Sequence, residues 1–122
     1  MSPALWRTLV RALGGVFLLL GLLFVGLPGP ASRLFGIPAE GGTALAYVRA
    51  IGLRDLALAL YLLRLPPSGA RTVLAASLVI PAGDLVLVLA GSGLSTPLPL
   101  ALHALSGLVL AALALTFPRS PG

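Results

Sequence analysis

The chain has 122 residues, of which 58% are hydrophobic and 9% are charged, and its formal net charge is +5. Soluble domains carry about 25% charged residues, so this composition excludes an ordinary water-facing surface and favours a single domain embedded in a bilayer. The absence of cysteine excludes disulfides and thiolate chemistry, and the dispersed arginines form no basic stripe that would indicate nucleic-acid binding.

Four apolar segments follow one another along the chain, at residues 9–27, 43–63, 72–90 and 97–117. Each segment has about 20 residues, which is the length that a helix needs to cross about 30 Å of hydrocarbon. The segments are long and lack strict alternation of apolar and polar residues, which favours helices over strands. The sequence therefore predicts an all-α integral membrane protein, with one domain over residues 1–122 that forms a four-transmembrane-helix bundle.

Prolines mark the interruptions between and within these segments. The connection over residues 28–42 begins at Pro28, where the sequence indicates the end of a helix, and we predict that this connection lies at the membrane interface. In the third segment Pro81 has no N–H group to bond to the carbonyl of Ser77. This predicts a kink in the third helix and a free hydrogen-bond acceptor near Asp84.

The arginines predict the orientation of the chain in the membrane. With four spans, both termini and the second connection share one side. That side carries five arginines and the other side one, namely Arg7, Arg11, Arg64, Arg71 and Arg119 against Arg33. Arginine marks the cytoplasmic side of a span. We therefore predict a multi-pass protein of the bacterial inner (plasma) membrane, with N- and C-termini in the cytoplasm and Trp6 as an interfacial anchor.

An alternative interpretation of the first segment stays open. Arg7 and Arg11 precede a leucine-rich run, and small residues follow at Ala31 and Ser32, which is the pattern of a cleaved signal peptide. In that case the remaining three helices would need a partner to close the bundle. The apolar run is long for a signal peptide, so the transmembrane interpretation is the one that we carry forward.

Ionisable residues inside the apolar segments are the strongest functional signal. Each costs about 2.5–3.5 kcal/mol at the centre of a membrane helix, and there are five: Arg49, Arg54, Asp55, Asp84 and His103. Arg49, Asp84 and His103 each lie about 9 Å from the outer end of their helix, at 1.5 Å per residue. Arg54 points almost opposite to Arg49, and as sequence neighbours Arg54 and Asp55 are not expected to pair. We therefore predict a polar pocket in the outer half of the bilayer, with Asp84 and His103 around Arg49.

These charges have two interpretations. In the first, they are ion pairs that fix the register of the helices, and a neutral His103 donates a hydrogen bond to Asp84 or to a backbone carbonyl. In the second, Asp84 and His103 are candidate catalytic residues, because positioned carboxyl and imidazole groups act as general acids and bases. One histidine and two aspartates without ligand spacing do not indicate a metal site, and no pattern indicates a cofactor.

The run Arg49-Ala50-Ile51-Gly52-Leu53-Arg54-Asp55 resembles the R-x-x-G-x-R-D segment of a domain-of-unknown-function family. Members of that family are small four-helix membrane proteins of bacteria and fungi, loosely similar to DoxX-like proteins. The resemblance extends to Leu34-Phe35-Gly36-Ile37-Pro38, to Asp84 and to His103, and it covers residues 20–117. It implies a four-helix membrane fold and assigns no reaction.

Three functions fit the sequence. The first is a binding or accessory protein that holds a lipophilic small molecule, or supports a membrane-protein partner or a homo-oligomer. The second is a membrane-embedded enzyme of the isomerase or cyclase type for an apolar substrate, in which Asp84 or His103 moves a proton and Arg49 stabilises negative charge. The third is a proton-coupled transporter that works as an oligomer. We favour the first function, without catalysis, metal or cofactor.

Overall fold

A computed structural model describes residues 1–64 and 66–118, and every regular element among them is a helix. The helices are α1 (Pro3–Gly26), α2 (Pro28–Phe35), α3 (Gly42–Arg64), α4 (Pro67–Ala76), α5 (Val79–Ser92) and α6 (Pro97–Leu115). Because α4 and α5 are consecutive parts of one long rod, the described residues contain five helical rods. The all-α prediction is confirmed, and the predicted number of four helices is wrong because α2 was not expected.

The first helix begins earlier than its apolar run. Ser2 caps α1, since its side-chain oxygen accepts a hydrogen bond from the backbone N–H of Leu5 at 3.2 Å. Pro3 occupies the first turn, where a missing N–H group leaves no helical bond unmade. A serine followed by a proline is a strong start signal, so α1 includes six residues that precede the predicted boundary at Leu9.

The short helix α2 occupies the connection where the sequence indicated a break. Pro28 and Pro30 lie in its first turn, where backbone N–H groups have no partner within the helix, so the prolines begin the helix instead of ending one. α2 ends at Gly36, which has a left-handed φ of 96°. A Cβ atom at Gly36 would lie 2.6 Å from the Cβ of Pro99, so α2 packs closely against the start of α6.

The third predicted segment is divided by a turn. α4 ends at Ala76, and α5 begins at Val79 after a turn at Ser77 and Leu78. The carbonyl of Ser77 accepts a hydrogen bond from the backbone N–H of Ile80 at 3.0 Å. The helix is therefore interrupted where Pro81 predicted it. The prediction of a free acceptor is wrong, because the N–H group of Ile80, the residue before Pro81, donates to the carbonyl of Ser77.

Three rods are long and apolar enough to cross a membrane, by length and composition, among the residues that the structure describes: Pro3–Gly26, Pro67–Ser92 and Pro97–Leu115. Their outward faces carry large apolar side chains, such as Leu19, Leu108 and Leu115 with exposed fractions of 69%, 69% and 83%. Exposed leucines at this density suit a lipid environment and not water. These features support a membrane protein.

Two helix pairs build the bundle. α1 packs antiparallel against α3, where a Cβ atom at Gly52 would lie 2.8 Å from the carbonyl oxygen of Gly21. The backbones of the two helices are therefore in contact at this crossing, as small residues allow in membrane proteins. The second pair is formed by the divided rod α4–α5 and by α6. At the proline of α5, Gly107 of α6 faces the ring of Pro81. A Cβ atom built at Gly107 would lie 3.7 Å from the Cβ and Cγ atoms of that ring.

Apolar side chains form two separate clusters, one at each end of the bundle. The first surrounds Trp6 and consists of Trp6, Val10, Leu62, Ala70, Leu74, Leu110, Leu113 and Ala114. The second consists of Phe24, Ala31 and Val48. Trp6 is only 1% exposed and its Nε1 donates to the carbonyl of Leu113 at 2.8 Å. The prediction of Trp6 as an interfacial anchor is therefore wrong, because its indole is used in the core.

Candidate functional site

A layer of polar side chains lies between the two apolar clusters. We call it the polar layer, and its members are Arg54, Asp55, Asp84 and His103. On α3 the polar layer lies between Val48 of the second cluster and Leu62 of the first cluster. α5 and α6 place Asp84 and His103 at the same level. The interior of the bundle is therefore apolar towards both ends and charged in the middle.

Arg54 and Asp55 form an ion pair within α3. The Nη2 and Nε atoms of Arg54 donate to Oδ1 of Asp55 at 3.1 and 3.2 Å. The side chain of Asp55 is 5% exposed, and that of Arg54 is 35% exposed. The expectation that sequence neighbours do not pair is wrong here. An arginine side chain is long enough to fold back onto the next carboxylate, although the two residues do not share a helix face.

Asp84 and His103 bring α5 and α6 together. Oδ2 of Asp84 lies 3.7 Å from Nδ1 of His103, and the two side chains are 12% and 11% exposed. Arg54 is close enough to Asp84 for a Coulombic interaction, and so is Asp55. Asp84 therefore connects His103 to the Arg54–Asp55 pair, in surroundings that water screens poorly.

His103 is held in place by its other nitrogen. Nε2 lies 2.8 Å from the backbone carbonyl oxygen of Phe35, the last residue of α2. A carbonyl can only accept, so Nε2 carries the hydrogen. The ring also meets that of Phe35 edge to face, with centroids 4.6 Å apart. Nδ1 is then the ring nitrogen that faces Oδ2 of Asp84, at a distance longer than a hydrogen bond.

Arg49 lies outside the polar layer, so the predicted pocket around Arg49 is wrong. It is exposed, and its Nε donates to the backbone carbonyl of Val25 at 3.3 Å, at the end of α1. The last carbonyls of a helix have no partner within it. A cation beside them is also attracted by the negative end of the helix dipole. Arg49 therefore caps α1, and Arg54 takes the place near Asp84 that was predicted for Arg49.

An Arg49→Met variant tests this capping role. It keeps the apolar stem and removes the donor to Val25, so we expect the unfolding free energy to fall by about 1 kcal/mol. The measurement is thermal unfolding of the purified protein in detergent. Arg33→Met is the matched control, because Arg33 is an exposed arginine of α2. An equal loss in both variants would contradict the assigned role.

The phenyl ring and carbonyl of Phe35 are part of the site, although the sequence did not predict it. A carbonyl carries no signal of its own in a sequence. The indirect signal was Gly36, because a left-handed glycine typically ends a helix and leaves the preceding carbonyls available to other donors.

Two surface clefts lie at opposite ends of the bundle, and no member of the polar layer lines either of them. One is a shallow cleft of about 550 Å³ along the exposed start of α3, beside Gly42, Ala46 and Ala50. The other has about 340 Å³ and lies between α1, α3 and α4. In the described residues no three histidine or acidic side chains come together as metal ligands.

Comparison with known proteins gives one match. The model of a family described as "Domain of unknown function (DUF4267)" matches residues 14–117. The matched range contains the whole polar layer and the Gly21–Gly52 crossing. No curated protein and no solved structure matches the chain.

Proposed function

The chain belongs to the DUF4267 family, whose description assigns no function, and we propose that it is a membrane-embedded binding protein for a lipophilic small molecule with a polar head. The head would be bound by Arg54. The proposal includes α3 as a fourth transmembrane helix, despite its charges. It also includes a bacterial inner membrane with both termini in the cytoplasm.

The exposed fraction of Arg54 is the observation that carries this proposal. A guanidinium group has five N–H donors, and the hydrogen bonds recorded for Arg54 use two of its nitrogens on a single oxygen of Asp55. About a third of the side chain stays exposed at the level of the polar layer. Donors without partners are expensive in hydrocarbon. A ligand with a carbonyl, hydroxyl or carboxylate head would satisfy them, and only a lipophilic molecule would reach them there.

The distribution of arginine supports the proposed orientation. Arg7, Arg11, Arg64 and Arg71 lie at the end of the bundle that contains the cluster around Trp6, while Arg33 lies on α2 at the opposite end. Arg119, which the sequence assigned to the same side as the four, lies outside the described residues. Arg49 caps the C-terminal end of α1 and so lies at the same end as Arg33. The resulting excess of four to two favours the cytoplasm for the Trp6 end.

Mass spectrometry of co-purifying molecules tests the binding function. Arg54→Lys keeps a positive charge for Asp55 but loses the planar fork of donors. We expect a lipophilic compound that is enriched with the wild type to fall at least about tenfold in Arg54→Lys, which is the loss of one charge-assisted hydrogen bond. Arg33→Lys is the matched control and should retain it. Thermal unfolding first establishes that both variants are folded, and identical profiles in all three proteins would contradict the proposal.

The Asp84–His103 pair favours one second candidate, a membrane-embedded acid/base enzyme for an apolar substrate. The pair can donate or accept a single proton while Nε2 of His103 stays bonded to Phe35. His103→Gln tests it, because a glutamine amide can still donate to the Phe35 carbonyl but cannot transfer protons near neutral pH. Loss of turnover of the co-purifying compound in a folded His103→Gln protein would support an enzyme, and ligand retention without any turnover in the wild type would contradict it.

A further inference from the structure

We propose that the cleft between α1, α3 and α4 binds the phosphate group of an anionic phospholipid headgroup. This site is separate from the polar layer and does not depend on the function proposed for Arg54. The cleft lies at the end of the bundle and has a volume of about 340 Å³. Its walls include three arginines from two helices, Arg7 and Arg11 of α1 and Arg64 of α3.

No carboxylate side chain is placed to neutralise these arginines. The full chain has three acidic residues, Glu40, Asp55 and Asp84. Asp55 and Asp84 belong to the polar layer, and Glu40 lies just before the start of α3 at Gly42, at the opposite end of that helix from Arg64. The three exposed guanidinium groups therefore leave the cleft positively charged, which attracts an anion from outside the chain. Arginine binds phosphate through two parallel N–H donors, so a phosphate group fits this set.

The start of α4 adds positive potential to the same cleft. Pro66 and Pro67 line it, and the first recorded backbone bond of α4 runs from the N–H of Ala70 to the carbonyl of Pro66 at 3.0 Å. The N–H groups of Ser68 and Gly69 precede that bond and have no acceptor within the helix. α4 has ten residues, so its dipole contributes partial positive charge at this end.

The surroundings of the cleft favour a lipid over a free phosphate ion. Its apolar wall includes Trp6 and Leu62, which are 1% and 3% exposed. Towards the middle of the bundle, Leu60 precedes Arg64 by one helical turn and is 58% exposed, and Leu18 follows Arg11 by two turns and is 37% exposed. Arginines above exposed leucines on the same helix faces match a headgroup with acyl chains below it. Basic pockets between membrane helices bind anionic headgroups in this way.

Native mass spectrometry of the full-length protein in detergent tests the proposal. The probes are dioleoyl phosphatidylglycerol, dioleoyl phosphatidylcholine and inorganic phosphate, each titrated separately. We expect phosphatidylglycerol to bind the wild type at least about tenfold more tightly than phosphatidylcholine. The triple variant Arg7→Gln, Arg11→Gln and Arg64→Gln should lose about a hundredfold in affinity for phosphatidylglycerol, from about 1 kcal/mol for each arginine. Arg33→Gln is the control and should keep the wild-type affinity.

Three results of these titrations would overturn the proposal. Equal binding of both lipids by the wild type, or an equal loss in Arg33→Gln, would show general surface attraction. Inorganic phosphate bound as tightly as phosphatidylglycerol would show a site for the free ion. A second measurement uses only the wild type, in case the triple variant does not fold. Phosphatidylglycerol should raise the thermal unfolding temperature more than phosphatidylcholine does, and salt should reduce the difference. No difference between the lipids would again overturn it.

Discussion

A Gly52→Ala variant is expected to lose about 1–3 kcal/mol of unfolding free energy, or to fail to accumulate in the membrane. The added Cβ atom would lie 2.8 Å from the carbonyl oxygen of Gly21, 2.8 Å from the Cβ of Phe24 and 2.9 Å from a methyl carbon of Val25. Two of these neighbours are rigid, because the oxygen of Gly21 is part of the backbone and the Cβ of Phe24 is bonded directly to the backbone. α1 would have to move away from α3, and the contact between Arg49 and Val25 would lengthen with it.

Other helical glycines provide the matched controls for this variant. Gly15 of α1 and Gly83 of α5 have open space where a Cβ atom would be built. Alanine has a higher helix propensity than glycine, so Gly15→Ala and Gly83→Ala should leave the unfolding temperature in detergent unchanged or raise it. A Gly52→Ala protein as stable as these two controls would show that α1 and α3 do not cross at Gly21 and Gly52.

The second large effect is expected from single substitutions in the Arg54–Asp55 pair. Arg54→Leu leaves the carboxylate of Asp55, which is 5% exposed, without its hydrogen-bond donors. Removing one partner of a buried ion pair costs about 3–5 kcal/mol. We expect a loss near the lower end of this range, since Arg54 itself is partly exposed. Thermal unfolding in detergent is the measurement.

The double variant separates the cost of an unpaired charge from the value of the pair. In Arg54→Leu with Asp55→Leu both charges are gone, and a buried ion pair replaced by apolar residues is often no less stable. We therefore expect the double variant to be more stable than Arg54→Leu alone. Additive losses would show that each charge has its main partner elsewhere, with Asp84 as the first candidate for Arg54.

The long helices could be predicted from the sequence, and α2 could not. Apolar runs of about 20 residues determine where the long helices lie, because their side chains must contact lipid or other helices along the whole run. α2 is eight residues long and has Pro28, Gly29 and Pro30 in its first turn. The same residues end one helix and begin another, and no periodicity is visible over so short a stretch.

The polar layer could be predicted in its members but not in its arrangement. Charged residues in apolar runs are conspicuous, so Arg54, Asp55, Asp84 and His103 were all identified, together with Arg49, which the structure places outside the layer. Helical periodicity gives the angle between Arg49 and Arg54, but not which neighbouring helix each face meets. Gly52 held the missing information, because a glycine on the face of Arg49 marks the close approach of another helix.

The hydrogen bonds of α6 have a consequence for how the chain assembles during synthesis. Trp6 donates to a carbonyl 107 positions later in the chain, and Phe35 accepts from a histidine 68 positions later. Both partners lie on α6, which leaves the ribosome after α1 to α5. Until α6 enters the membrane, the indole N–H of Trp6 and the carbonyl of Phe35 lack these hydrogen-bond partners. Each such unpaired group costs several kcal/mol in hydrocarbon. α6 therefore supplies a hydrogen bond to each of two distant parts of the bundle, and a chain that stops before Pro97 contains the α1–α3 pair and the rod α4–α5 without either bond.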